Sequence, residues 1–454
     1  MRVDPARLAA YEAVRAVRVD GAYTNLVLPS ILRRHGLSGR DAGFVTELVS
    51  GSVRGQGLYD AVLTASIDRP LRKVEAAVVD ALRLGVHQLL AMRVPPHAAL
   101  STTVDLVRSI SGPGAAGFAN AVLRRVAQHD LDAWITQVAD DADPTRRLAT
   151  ATSHPIWVVN ELRQSLGGAA EEELEALLRA DNEPPRVTLV ARPGRVTRDE
   201  LGGEPTPWSP YGATLAGGDP AAVPAVAEGR AGVQDEGSQL VAHAAATASL
   251  DGAPGAAGPD RTWLDLCAGP GGKSALLAGL ADAAGARLVA VEKQVHRARL
   301  VARNLDGAAG VAGVLAADGV RPPFRPASFD RVLVDAPCTG LGALRRRPEA
   351  RWRRRPDDLL QLVLLQRALV NSALDLVRPG GVVLYATCSP VVAETAEVVS
   401  SLLAQRDDVS LGDLTPVLEP LGMTRVEGSL PGTVQLWPHR HGTDAMFMAL
   451  LRRH

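Results

Sequence analysis

The chain has 454 residues, 46% hydrophobic and 22% charged, which excludes a disordered polypeptide and asks for two or three separately cored domains of ~100–200 residues each. Its net charge of −1 excludes a uniformly basic nucleic-acid binder, because neutralising phosphates needs clustered Lys and Arg. Cys267, Cys338 and Cys388 are the only cysteines, too few and too odd for a disulfide framework and without the paired spacing of a zinc site, so a reducing compartment and no metal are expected.

The first residues, MRVDPARLAAYEAVRAVRVDG, carry Asp4 and Glu12 among weakly apolar side chains, unlike a secretory leader. No uninterrupted apolar run is long enough to span a bilayer, and the expectation is a cytoplasmic protein with no membrane partner. From 5 to 128 apolar positions recur at helical spacing: Leu8, Tyr11, Val14 and Val17, then Phe44, Leu48 and Val49, then Val74, Val78, Leu82, Val86 and Leu89, then Val104, Val107, Phe118, Val122 and Val126. This predicts an all-α domain over 1–135, with helix ends at Pro95-Pro96 and at SGPGAAG, 111–117. Its arginines, Arg33, Arg34, Arg124 and Arg125 among them, are interspersed with acids and form no patch.

A small α+β linking subdomain is expected over 136–232. It has helices at 156–166 and 170–180, a strand at 186–191 and a Gly/Pro/Ala-rich stretch at 202–232 that suggests irregular connections. The segment SLDGAPGAAGPDRT, 249–262, reads as a surface loop within the third domain, 233–454. There the pattern changes to short apolar runs, TWLDLC (262–267), RLVAVE (287–292), VLAAD (314–318), FDRVLVD (329–335) and GGVVLYATC (380–388). They alternate with helices near 273–283, 293–304, 357–377 and 391–405. Buried strands alternating with helices predict an α/β domain with a parallel sheet, whose ligands bind at the carboxyl ends of the strands.

The first of these strands runs into Cys267, Ala268, Gly269, Pro270, Gly271, Gly272 and Lys273 and then a helix. Glycines allow a tight turn and close backbone approach, and the helix start offers free N–H donors to an anion. Alone, such a loop is equally an ordinary turn, and a strand-end acid is often only a helix cap. Glu292 ends the second strand, where a carboxylate can take ribose hydroxyls, and Asp318 ends the third, where it can accept from an adenine amino group. Together they suit S-adenosylmethionine better than a dinucleotide, because the loop is not GxGxxG.

The fourth strand ends in Asp335-Ala-Pro-Cys338 and the fifth in Ala386-Thr387-Cys388-Ser389. A single cysteine is most often a small core hydrophobe. Two at the exits of adjacent strands, beside a methyl-donor loop, point to a shared pocket. Carbon 5 of cytosine is a poor nucleophile until a thiolate adds at carbon 6, and that addition needs an acid near N3. Asp335 is placed for this, with burial expected to raise its pKa towards a protonated, donating form. Cys388 is the expected nucleophile. Cys338 assists release, and Lys273 orients the base or favours the thiolate.

CAGPGGK, DAPC and ATCS, in this order and spacing, resemble the RNA cytosine-5 methyltransferases of the bacterial RsmB (Sun/Fmu) group within the NOL1/NOP2/Sun family. VQDEGSQL at 233–240 and LRRRPEARWRR at 344–354 resemble further segments of that group. GAYTNLVLP at 21–29 and FANAVLRR at 118–125 are similar to its NusB-like RNA-binding domain. The resemblance covers nearly the whole chain. It implies a Rossmann-like class I methyltransferase acting on 16S ribosomal RNA, cytosine 967 in the usual substrate, free or in a ribosome-assembly intermediate, and a monomer. It also implies the nucleophile Cys388, the release cysteine Cys338, and cofactor contacts at 267–273, Glu292, Asp318 and Asp335. The chain departs from the group at Val392-Ala393-Glu394-Thr395, where Pro-Glu-Glu-Asn is common, and at AGP in the glycine loop, where Ala-Ala-Pro is frequent.

Residues 345–355 hold seven arginines and Trp352, and a charge run of this kind is ordinarily a solvated face. Lying between the fourth and fifth strands, it predicts phosphate contacts by Arg345, Arg346, Arg347, Arg351 and Arg353. An unstacked base in structured RNA is then favoured over duplex DNA. Three other readings remain at this point: a DNA cytosine-5 methyltransferase using Cys338 as nucleophile, a non-catalytic RNA-binding assembly factor, and, more distantly, a nicotinamide dehydrogenase.

Overall fold

A computed structural model describes residues 3–250 and 260–454; most of the loop expected at 249–262 lies outside the described residues. The chain divides into two compact units, one of residues up to Glu183 together with Leu344–Arg353, the other of Pro184–Ala343 and Arg354–His454.

The first unit is helical, as the 3.6-residue periodicity requires. Helices Pro5–Val19, Thr24–Arg34, Gly39–Arg54, Gln56–Ala65, Ala76–Leu90 and Pro96–Val126 enclose a core that includes Leu48, Val62, Leu82, Val107 and Leu123. The Asp4 carboxylate caps the first helix by accepting from the Arg7 amide, and Pro5 occupies the first turn, where no N–H is needed. At SGPG the long helix kinks, with Gly112 at φ 87°, a left-handed value that glycine tolerates.

The unit does not stop near 135. Trp134 on the helix Leu131–Val138 is buried in the same core and donates its indole N–H to Val126 O. Helices Pro144–Ala151, Ile156–Leu166 and Ala170–Ala180 continue the array. The expected linking subdomain is therefore split. Its helices belong to the helical unit, and its strands belong to the second unit.

Those strands are β1 (Thr188–Ala191), β2 (Glu204–Pro205), β3 (Gly212–Thr214) and β4 (Ala231–Val233), an antiparallel sheet in the order β2-β3-β1-β4. Only β1 was legible; the others are two or three residues long within the Gly/Pro-rich stretch. Val190 of β1 joins Ala242 and Leu276 in one apolar cluster, which seats the small sheet on the catalytic core. The segment VQDEGSQL is the latch. Asp235 accepts from the Gly237 and Asp444 amides, and Glu236 accepts from the Trp208 and Ser209 amides at 2.6 Å each.

The main sheet contains β5 (Thr262–Asp265), β6 (Arg287–Glu292), β7 (Val311–Ala316), β8 (Phe329–Asp335), β9 (Val377–Thr387), β10 (Val409–Gly412), β11 (Val434–Gln435) and β12 (Phe447–Arg453). Its order is β10-β12-β9-β8-β5-β6-β7, with β11 beside β12. The five expected strands are parallel to one another, but β12 pairs antiparallel with both β9 and β10, so the sheet is mixed rather than wholly parallel. One helix, Pro356–Leu376, reaches a mean hydropathy of 1.3 over an 18-residue window, enough for a membrane span by length and composition. Val363, Leu369, Val370, Ala373 and Leu374 enter the core beside β8 and β9, while Leu360 and Leu364 face outward.

Candidate active site

Because β8 and β9 are parallel neighbours, with Asp335 opposite Ala386, their carboxyl ends deliver both cysteine segments to one place. Cys338 Sγ lies 3.4 Å from Cys388 Sγ. Cys338 is buried, whereas Cys388 keeps partial exposure, so only the latter offers an approach from outside. The sulfur contact with Cys388, then burial, with the Glu394 and Asp335 carboxylates adding to them, push the Cys338 thiol well above its ordinary range. It is held as a neutral S–H that can donate to Cys388.

Lys273 Nζ donates to Asp335 Oδ2 at 2.8 Å. Burial acts to lower the lysine's pKa, but the Asp335 carboxylate, with Cys388 and Asp265 also contributing, outweighs it and the net shift is upward. Asp335 was expected as a buried, protonated acid. It is instead the partner of an ammonium, with its side chain 25% exposed. The carboxyl that burial does raise, to about 7, is Asp265 at the end of β5, which faces inward, accepting from Ser274 Oγ at 2.6 Å and the Cys267 amide at 3.3 Å. Sequence reasoning passed over Asp265. Its signal was an acid inside the apolar strand TWLDLC.

The glycine loop joins β5 to the helix Gly272–Ala283. A Cβ at 269 would push the Glu292 carboxylate aside, and Gly271, at φ +110°, holds a conformation that favours glycine. Arg297 and Asn304 hold the loop by donating to the carbonyls of Gly269 (2.6 Å) and Pro270 (2.9 Å). Cys267 is partly exposed by residue, but burial, with Asp265, Asp335 and Glu292 adding to it, drives its thiol well above the ordinary value, which makes it a poor nucleophile. Glu292 ends β6, buried, with Oε1 accepting from the Gln294 amide at 2.8 Å. Asp318 follows β7 by two residues and pairs with Lys293 at 2.8 Å; that contact, with the Val320 amide, lowers its pKa.

These residues fit S-adenosylmethionine. A Cβ at 272 would meet only ordinary contact with Gln234 at 3.8 Å, so the loop is uncrowded at a helix N-terminus, where a carboxylate is favoured. Glu292 at the end of β6 and Asp318 just past β7 place two carboxylates beyond successive strands. Among the described residues no cluster of His, Cys, Asp and Glu could hold a metal ion.

The Arg-rich segment departs most from expectation, because Leu344–Arg353 belongs to the helical unit. Arg351 is fully buried, donating to Ser153 O (3.1 Å), Asp181 O (3.1 Å) and Asn182 Oδ1 (2.7 Å), and burial lowers its pKa to about 10. It cannot reach a phosphate. Arg345 is buried too, and Arg353 donates to Ala22 O at 2.7 Å while stacking over Tyr23. Arg345 and Arg351 are corrected to structural roles, whereas Arg353 is half-buried. Arg347, exposed over the Tyr23 ring, and the half-buried Arg346 and Arg353 keep an outward face. Trp352 is likewise structural, its indole donating to Val53 O at 3.0 Å. The next residue, Arg354, returns to the catalytic unit and donates to the carbonyls of Thr339 (3.1 Å) and Cys338 (3.3 Å).

Residues 256–452 match the family described as 16S rRNA methyltransferase RsmB/F, and residues 4–128 match the NusB family. The Mycobacterium tuberculosis protein Rv1407, whose name is that of a methyltransferase, is 50% identical over 457 residues, covering 99% of this chain and 97% of its own. Ribosomal RNA small subunit methyltransferase B of Pseudomonas putida is 32% identical, covering 98% of each chain. A Bacillus subtilis protein of the same description is also 32% identical, covering 100% of each. Among solved structures, PH0851 shares the fold with a TM-score of 0.79 at 24% identity over 100% of both chains.

Proposed function

From its membership of the RsmB family of S-adenosylmethionine-dependent ribosomal RNA methyltransferases, we propose that this chain methylates carbon 5 of a cytosine in 16S rRNA, cytosine 967, through a covalent adduct between Cys388 and carbon 6. The observation that carries this reading is the 3.4 Å approach of the two sulfurs beside the Lys273–Asp335 pair.

S-adenosylmethionine supplies an electrophilic methyl group; everything else falls to side chains of this chain. Cys388, the more accessible thiol, adds to carbon 6, and its electron pair moves the ring density to carbon 5 as an enamine. The Lys273–Asp335 pair supplies the proton that N3 takes up. The source of that proton is the Lys273 ammonium, which is hydrogen-bonded to Asp335 Oδ2. The carbon 5 proton then leaves to solvent, the carbon–sulfur electrons return to Cys388 as the carbon 5–carbon 6 double bond re-forms, and N3 gives its proton back to the Lys273–Asp335 pair. The neutral thiol of Cys338 donates to that sulfur, stabilising the leaving thiolate. Glu292, Asp318 and the loop 267–273 hold the cofactor, and Arg346 and Arg347 face RNA phosphates.

Bisulfite sequencing of 16S rRNA tests the assignment. In cells lacking the gene, cytosine 967 should read as unprotected and regain protection on complementation; protection that persists without the gene refutes it.

A further inference from the structure

Beneath the two cysteines lies a buried carboxylate that the chemistry above does not use. Glu394, 0% exposed, ends the short turn Val392–Glu394 that follows the cysteine segment of β9. Its Oε1 accepts from the Thr339 amide at 2.8 Å and from Gln366 Nε2 at 3.0 Å, and its Oε2 accepts from Thr339 Oγ1 at 2.5 Å. Having given its proton to Glu394, the Thr339 hydroxyl must accept from Ser389 Oγ, 3.0 Å away. Gln366, on the helix Pro356–Leu376, also donates to Pro337 O at 2.9 Å. The Tyr385 hydroxyl donates to the main-chain oxygen of Glu394 at 2.6 Å and fixes the turn itself.

One carboxylate therefore gathers the residue after Cys338 directly, the residue before it through Gln366, and the residue after Cys388 through Thr339. Resting on the two-cysteine reading above, we propose that Glu394 is a positioning residue whose carboxylate sets the separation of the two sulfurs, so that Cys338 can hydrogen-bond Cys388 when the adduct is resolved.

The chemistry at 394 demands an acceptor on both sides. Thr339 N, Thr339 Oγ1 and Gln366 Nε2 are all donors, and an ionised carboxylate is acceptor-only. A glutamine has the same shape but presents an NH2 to one side. It must set donor against donor either at the Thr339 hydroxyl or at the Thr339 amide and Gln366, and a buried donor without a partner is costly. Glu394→Gln thus opens the link without emptying the space. Thr395, standing where relatives of this group commonly carry Asn, bonds back within its own turn to Val391 O at 2.9 Å and Val392 O at 3.4 Å, so among the side-chain contacts of the described residues the Glu394 carboxylate is what links this turn to the Cys338 segment.

The test uses the full-length protein, S-adenosylmethionine and a protein-free 16S rRNA transcript. Glu394→Gln should lower kcat on the order of 10- to 100-fold with KM for RNA and the cofactor Kd within about twofold, and should accumulate a denaturation-stable RNA–protein adduct. A protein that is merely loosened would lose binding and adduct together. The deciding comparison is the double variant Glu394→Gln/Cys338→Ala. If Glu394 acts through Cys338, the double variant is no slower than Cys338→Ala alone; losses that multiply overturn the positioning role while leaving the two-cysteine reading intact. Full activity of Cys388→Ala would instead overturn that reading, whatever Glu394 does. Should Glu394→Gln fail to fold, Thr339→Val, which removes only the hydroxyl, must show the same adduct and the same non-additivity, and a Thr339→Val protein that resolves its adduct at the native rate refutes the proposal.

Discussion

Asp265 makes the folded catalytic unit pH-sensitive in a calculable way. Burial raises its carboxyl from 3.8 to about 7, so the folded state binds this proton more tightly than the unfolded chain does. Its contribution to stability is fully present below the unfolded value and is lost as pH rises through about 7. The full difference amounts to about 4 kcal/mol, of which about 2.5 kcal/mol falls between pH 5 and 8. Asp265→Asn removes the titration while keeping an acceptor for Ser274. The variant should therefore gain stability relative to the native protein as pH rises from 5 to 8, by about 5 °C in Tm at roughly 2 °C per kcal/mol for a unit of this size. Calorimetry of both proteins at pH 5, 6.5 and 8 and fixed ionic strength measures it. A Tm gap that does not change with pH, or one that moves against the variant at pH 8, refutes the reasoning, since either means that the charged carboxylate is as well accommodated in the fold as in water.

Other consequences follow from the same contacts. Arg351→Ala should cost the helical unit about 3–5 kcal/mol by stripping the partners of a buried guanidinium, seen as a lower urea midpoint, with the salt dependence of RNA binding unchanged. Arg347→Ala should do the reverse, leaving stability within about 0.5 kcal/mol and reducing the slope of log Kd against log salt by about one. Gly272→Ala should fold normally, because its Cβ meets only ordinary contact with Gln234, and yet weaken S-adenosylmethionine at least tenfold in a calorimetric titration if the cofactor lies against the loop there. Gly269→Ala should lose both cofactor binding and thermal stability, since its Cβ collides with Glu292.

The legible parts of this protein were those where period and chemistry reinforce each other. Strands β6 and β8 begin and end where their apolar runs do, and the loop 267–273 with Glu292 lies at the strand ends where nucleotide logic put them. The convergence of Cys338 and Cys388 followed from one topological assumption, that the strands bearing them are neighbours. Strands β10 to β12 were missed although FMALLRR is plainly apolar: β10 and β11 are only four and two residues long, and β12 pairs antiparallel with β9 and β10, outside the parallel pattern expected. The arginine run failed for a different reason. Seven like charges in eleven residues ordinarily mean solvent, and nothing local tells that Arg351 will find two carbonyls and an amide waiting inside the helical unit. The ion pair of Asp335 was not legible, because its partner Lys273 lies 62 residues away in sequence and comes within 2.8 Å only when folded.

The central claim is that Cys388 carries the adduct and Cys338 releases it. Incubating Cys388→Ala and Cys338→Ala separately with S-adenosylmethionine and 16S rRNA, then resolving the products on a denaturing gel, tests it most directly. The account predicts no adduct and no methylation from Cys388→Ala, and an accumulating RNA–protein band from Cys338→Ala. A covalent band from Cys388→Ala would contradict it.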